Sequence, residues 1–561
     1  MSDSSGKLTI TFNGEIYNYR ELRQELSRLG HEFRTESDTE VILEAYRRWG
    51  DDCLDHFDGM FAFALYDKDK DRLFAARDRA GEKPFFYWHH AHALTFASEL
   101  KGLMQHPHLE RRADVDAINF YLAYGYVPND LCILQGVRKL PPGHALVYER
   151  QSDLLRVWPF WKLPDPPRED RVDPLELVEE YRTLLTDSVR RQLVADVPVG
   201  ILLSGGMDSS LITAIACQVS SKPIKAFTIS FPEHERYDEG PYARFISDHF
   251  GIEHRILPAE KASVDLLPEL ARQFDEPIAD SSMIPTLLIS RLIRKHVTVG
   301  IGGDGGDELF GGYPHYSWLR RLGQVRRIIP DGFRNQLARI GRRVIPVGVH
   351  GRGHLIGLEG GIERSLSSVN LFFDDQERHA LFLPLREISS EGSGPERFKG
   401  EMSAPGISLL QKATSMDFRT YLPDDLLVKV DRASMLASLE IRAPFLDRRL
   451  INFAYSRVPD SLRVRGGKRK ILSRLLAKQI LPRGFDLGRK QGFVVPLASW
   501  FREGWGDQVK SVLLETTSWF NKPQVAKLIQ GQERGLANTQ RLFALMMVEL
   551  WRREYQIQLP S

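Results

Sequence analysis

The chain has 561 residues, too many for one hydrophobic core, which predicts two or three domains. Its 76 basic and 74 acidic residues leave a formal net charge of +2, so overall charge makes no case for a nucleic-acid or membrane partner. Cys53, Cys132 and Cys217 lie far apart and form no CxxC, which argues against a zinc ribbon or disulfide scaffold. The first seven residues have no apolar core of signal-peptide type, and no run nears membrane-spanning length; a cytoplasmic location is expected.

Up to about residue 162 the pattern is strand-rich with short helices. Residues 8–12, 61–66 and 73–76 are strand-like, and residues 19–29 and 39–49 carry helical periodicity. Pro159, Pro164, Pro166 and Pro167 mark a linker. From about Pro174, apolar strands at 197–203, 224–230 and 297–302 alternate with helices, the sign of a parallel sheet. Residues 320–400 are basic at first, then Gly- and Ser-rich, and read as helices with a mobile loop. From Ser408 onward the chain reads as mainly helical.

The chemistry concentrates in the second part. Ser204, Gly205, Gly206, Met207, Asp208 and Ser209 join an apolar strand to an apolar helix. Glycine there lets backbone N–H groups approach an anion, and a helix N-terminus favours negative charge. The serines add hydroxyl donors, and Asp208 offers a carboxylate to a metal. This is a phosphate site without the G-x-x-x-x-G-K-[ST] pattern. Residues 226–231 form a second strand whose end suits adenine, and residues 275–282 are a polar cluster ahead of a helix. Residues 302–313 form a glycine-rich turn with Asp304, Asp307 and Glu308, a density of acid that makes sense beside a triphosphate if Mg2+ bridges them. Lys468, Lys470 and the basic segment 489–493 offer cations for charge building up on the phosphates. Alone, each piece is ordinary loop or surface chemistry; their conjunction carries the reading.

In order and spacing these motifs resemble the asparagine synthetases and their β-lactam-forming relatives, over nearly the whole chain. Residues 303–313, 421–435 and 440–447 are similar to further signatures of that family. The resemblance implies an α+β N-terminal-nucleophile-type glutaminase domain of layered antiparallel sheets over residues 1–162. It implies an α/β synthetase domain of the adenine-nucleotide alpha-hydrolase type, with a parallel sheet and helical C-terminal part, over residues 174–555. The implied reaction is ATP-dependent amidation of aspartate to asparagine through β-aspartyl-AMP, with Mg2+, nitrogen from glutamine or ammonia, and a homodimeric enzyme. Ser204, Gly205, Gly206, Asp208 and Ser209 would hold pyrophosphate. Leu203, Ile229 and Gly303 would contact adenosine, and Asp208 and Asp307 would bind Mg2+. Asp304 stands for a carboxylate needed to form the adenylate, often Glu in the family. Gly302 replaces a serine and removes one hydroxyl from the nucleotide pocket. The catalytic lysine precedes an Ile-Leu pair; Lys468 is preferred, with Lys470 second.

The first part also resembles the family. Asn13, Gly14 and Glu15 match the turn that cradles glutamine and its oxyanion, and Asp38 the residue that binds its α-amino group. Residues 76–84 and 96–101 match later landmarks. The family's N-terminal cysteine and following arginine do not precede Asn13 here; Cys53 is internal and Ser2 lacks the strand that should follow. The expectation is therefore a shortened, incomplete glutaminase domain, with a Cys-led native extension favoured over true loss and reliance on free ammonia. Two other functions stay open: amidation of another carboxylate (a sugar acid, peptide or β-lactam precursor), and a non-catalytic binding or regulatory role.

Overall fold

The computed structural model describes the chain apart from residues 168–171, 231–237, 259–262, 388–393, 403–405, 489–495 and 560–561. Phe231, the basic segment 489–493 and the centre of the expected mobile loop, 388–393, thus lie outside the described residues.

The first half contains β1 (Leu8–Ile16), β2 (Gly59–Asp67), β3 (Arg72–Arg77), β4 (Phe86–His90), β5 (Ala93–Ala97), β6 (Arg138–Lys139), β7 (His144–Glu149) and β8 (Leu154–Pro159). They form one antiparallel sheet in the order β1-β2-β3-β7-β8 and a smaller one in the order β5-β4-β6. The two-residue period of a strand sorts β2 between two cores. Phe61, Phe63 and Leu65 join the helices Tyr19–Arg28 and Asp38–Trp49, while Ala62 and Ala64 join Phe85, Tyr87 and Leu140. Helices, sheet and second sheet therefore stack in layers. The pairing of β1 with β2 demands glycine at 14, where φ is +146° and a Cβ would lie 2.0 Å from the Met60 carbonyl oxygen.

The second half is built on β9 (Val199–Leu202), β10 (Lys225–Ser230), β11 (Glu253–Pro258), β12 (Val299–Ile301) and β13 (Glu440–Arg442), all parallel, in the order β11-β10-β9-β12-β13. The helices Pro174–Gln192 and Met207–Val219 cover one face, where Leu185, Val189, Leu211 and Ile215 pack with Ile201 and Ile301. Phe227 and Ile229 face the other way, toward Met283, Ile284 and Leu287. Strand order reverses between β9 and β12, and the crevice beyond their carboxyl ends is where such sheets bind ligands. The three expected strands are present; β11 and β13 complete the sheet, β13 falling within a stretch read as mainly helical. Residues 320–344 are helical, as expected, in Pro314–Ile328 and Asp331–Val344. No described helix is long and apolar enough to cross a membrane.

The halves share a core. The helix Val115–Tyr124 of the first half is buried among C-terminal helices, and its Tyr121 hydroxyl donates to the Ala544 carbonyl at 2.8 Å. Buried Lys83 and Lys139 cross the junction to Asp431 and Glu276, each at 2.9 Å.

Candidate active site

A cavity of about 470 Å³ opens at the β9–β12 crevice. Leu203, Ser204, Gly206, Asp208, Ser209, Ile229, Gly302, Gly303, Asp304 and Asp307 all line it. Gly205 is buried beneath the loop. Its φ is +68°, and a Cβ would come within 2.6 Å of the Tyr242 side chain. Gly206 begins the helix Met207–Val219 without a side-chain cap, so N-terminal N–H groups stay available to an anion. The Ser204 and Ser209 hydroxyls sit 3.0 Å apart. Leu203 spends its N–H on the Phe227 carbonyl at 2.9 Å, and its carbonyl accepts from the Thr228 hydroxyl, so its backbone is committed to the sheet.

One buried lysine ties the two acidic segments together. Lys470 reaches Asp208 and lies 2.5 Å from Asp307. Burial alone would lower its pKa, but the charges of Asp208 and Asp307 overcome this and raise it. Gly312 makes the room, since a Cβ there would lie 1.7 Å from Asp307 Oδ1 and 2.4 Å from Lys470 Cε. Lys468 is the correction. It is exposed on the hairpin Val464–Arg465/Lys468–Arg469, outside the cavity. Lys470 instead caps the helix Ile471–Ile480 with φ at +53°, a left-handed residue that turns its side chain inward.

A second buried lysine, Lys429, lines the same cavity. Lys429 donates to Asp280 at 3.0 Å, and Asp280 accepts from the Ser282 N–H at 2.8 Å and hydroxyl at 2.7 Å. Burial raises the Asp304 pKa, against the opposing charge of Lys429. Burial, reinforced by Asp307, pushes the Glu308 carboxyl up to about 8; the Tyr313 hydroxyl donates to it at 2.5 Å. A Cβ on Gly302 would stand 2.8 Å from Asp304 Oδ2, so glycine at 302 and aspartate at 304 form one local solution. Lys429 had no role of its own in the sequence reading, where Asp280 and Glu308 entered only as members of the polar cluster 275–282 and the acidic turn 302–313. A smaller cavity of about 20 Å³, lined by Met60, Glu82 and Lys83 of the first half, also touches Asp304.

Asp208 and Asp307, facing each other across Lys470, are a hard-oxygen pair suited to Mg2+ arriving with phosphates. Among the described residues no cluster of three or more His, Cys, Asp or Glu could hold a metal alone.

In the first half, Asp38 accepts the Ile16 N–H at 2.9 Å and Asn13 donates to Ser98 at 3.3 Å. Glu15 pairs with Arg442 at 3.4 Å. Burial pushes Glu15 up to about 7, against that arginine. Asn13, Glu15 and Asp38 therefore gather around the end of β1. Burial raises the Cys53 thiol pKa strongly, which fits an inert core residue.

A family description, asparagine synthase, matches residues 180–553, and a second, glutamine amidotransferase domain, matches residues 1–161. The chain belongs to the asparagine synthase family. "Asparagine synthetase [glutamine-hydrolyzing] 1" of Bacillus subtilis (strain 168) is 32% identical over 548 residues, spanning 97% of this chain and 85% of that protein. The same organism's "Asparagine synthetase [glutamine-hydrolyzing] 3" is 32% identical over 502 residues, 84% of this chain and 73% of its own. A "Putative asparagine synthetase [glutamine-hydrolyzing] 2" of Methanocaldococcus jannaschii is 33% identical over 446 residues, covering 78% and 83%. The family thus spans both halves of the chain.

Proposed function

We propose that the chain joins ammonia to aspartate at the expense of ATP, giving asparagine, AMP and pyrophosphate, with residues 174–555 as the synthetase domain. The carrying observation is Lys470 held between Asp208 and Asp307 beside an uncapped helix N-terminus. The helix N–H groups, Ser204 and Ser209 receive the leaving pyrophosphate. Gly302, Gly303 and Ile229 shape the adenosine side, while the committed backbone of Leu203 packs there. Lys470 offsets the charge that grows as the aspartate β-carboxylate attacks the α-phosphorus. Asp208 and Asp307 would hold Mg2+, which would supply Lewis-acid polarisation. In the second step ammonia forms the C–N bond, the acyl–phosphate bond breaks, and the proton passes to Asp304, whose raised pKa suits an acceptor. Lys429, fixed by Asp280, limits repulsion between Asp304 and the entering aspartate.

We propose residues 1–162 as the amidotransferase domain, with Asn13, Gly14, Glu15 and Asp38 on the glutamine side. The test is AMP and pyrophosphate release from Mg-ATP with aspartate, using ammonium or glutamine, against sugar acids and other carboxylates. Aspartate-dependent release with asparagine formed is expected. Release with another acid and none with aspartate would overturn the reading.

A further inference from the structure

The chain's net charge of +2 conceals one strongly basic stretch. Residues 320–344 contain eight arginines and a single acid, Asp331, a local net charge of +7. The stretch forms the end of the helix Pro314–Ile328 and the whole of Asp331–Val344. The inner face of the second helix is firmly anchored. Ala338 and Gly341 are buried, and a Cβ at 341 would lie 2.5 Å from the Leu355 side chain. Buried Arg334 donates to the carbonyls of Ile329 and Leu358 at 3.1 and 3.3 Å.

The outer face is apolar. Phe333, Ile340 and Val344 are 56%, 49% and 71% exposed, and Ile328 just before them is 81% exposed. With half-buried Leu337, positions 333, 337, 340 and 344 follow helical spacing and form one stripe. Exposed Arg339 and Arg343 run along one edge of it. A stripe of large apolar side chains on a well-anchored helix is not what solubility asks for.

We propose that this face docks on an anionic lipid surface. The stripe would enter the headgroup–acyl boundary while exposed Arg339 and Arg343 meet lipid phosphates, Arg334 and Arg342 being paired with Asp331 and Glu359. A second copy of the chain offers no acidic partner to Arg339 and Arg343 from the same stripe, whereas an anionic lipid surface does. Nucleic acid would match the arginines and leave four large apolar side chains in water. Helix length also suits a helix lying in the interface rather than crossing it.

The full chain, incubated with phosphatidylcholine vesicles with or without phosphatidylglycerol and separated by flotation, tests this. Binding is expected to the anionic vesicles and to be at least about tenfold weaker to the zwitterionic ones. Phe333→Ser/Ile340→Ser and Arg339→Glu/Arg343→Glu should each weaken it by about tenfold or more, with ammonia-dependent AMP release and Tm unchanged, since these side chains are exposed. The proposal is overturned by absence of flotation with anionic vesicles, or by double variants that float like the parent. It is equally overturned if light scattering shows that the double variants dissociate an oligomer of the parent, which would make the face a self-interface.

Discussion

Two polar regions of this molecule look alike in composition and differ in use. At the ends of β9 and β12, Asp208, Asp304, Asp307 and Glu308 share a cavity of about 470 Å³ with Lys429 and Lys470. At the end of β1, Asp38 is bound to the Ile16 N–H, Asn13 to Ser98 and Glu15 to Arg442. In the first region Lys470 pairs with Asp208 and Asp307 on the wall of the cavity, where a substrate can take over the partnership. In the second, the fold's own groups already engage them. Buried charge beside a cavity marks chemistry; buried charge answered by backbone and a cross-half arginine also works as a joint.

Removing Lys470 breaks the contrast most severely. Lys470→Ala leaves Asp208 and Asp307 facing each other and withdraws the cation from the phosphates. AMP release should fall by about 10³-fold, while Lys468→Ala stays within about twofold. Pyrophosphate-release kinetics decide between them, and equal losses would return the choice to Lys468. Asp307→Asn should cost about 10²-fold and raise the Mg2+ needed for half-maximal rate, read from a Mg2+ titration. At the joint, Asp38→Asn should leave ammonia-supported release within about twofold, because it touches none of that cavity.

Much of the cavity lining was legible because glycine-rich turns that start helices are written locally. The stretches 204–209 and 302–313 each contain their own turn, helix start and carboxylates. The lysine register was not legible, because Lys468 and Lys470 both precede the Ile471–Leu472 pair within three residues. A left-handed φ at Lys470 and an outward hairpin at Lys468 separate them, and neither follows from periodicity. Lys429 escaped notice because its partner Asp280 lies 149 residues away. Strand β13 was hidden by its three-residue length, below what a two-residue alternation can reveal. The basic stretch 320–344 disappeared in the whole-chain average, which is blind to where charges cluster.

A milder probe is Gly302→Ser, which restores the hydroxyl that the family resemblance leads one to expect. Its Cβ would stand 2.8 Å from Asp304 Oδ2, so the carboxylate must swing aside. About a tenfold loss of kcat is expected, with Tm little changed. Gly302→Ser combined with Asp304→Glu should recover much of it, since the longer side chain can pass the serine. No recovery would mean that the two positions are not coupled.

The smallest effect concerns the stability cost of keeping acids beside an open cavity. Burial pushes Glu308 from 4.5 up to about 8. Below the unfolded value both states hold the proton, and its contribution to stability is complete. Between 4.5 and about 8 the folded chain binds more protons than the unfolded one, so stability is lost as pH rises through that window. Glu308→Gln cannot titrate, yet keeps an oxygen to accept from the Tyr313 hydroxyl. Its fall in Tm between about pH 5 and about pH 8 should therefore be smaller than that of the parent, by about 2 °C. Scanning calorimetry at several pH values reads this directly. Identical slopes would show that Glu308 is ionised in the folded protein, so that the cavity meets its acid with solvent or neighbouring cations rather than a retained proton.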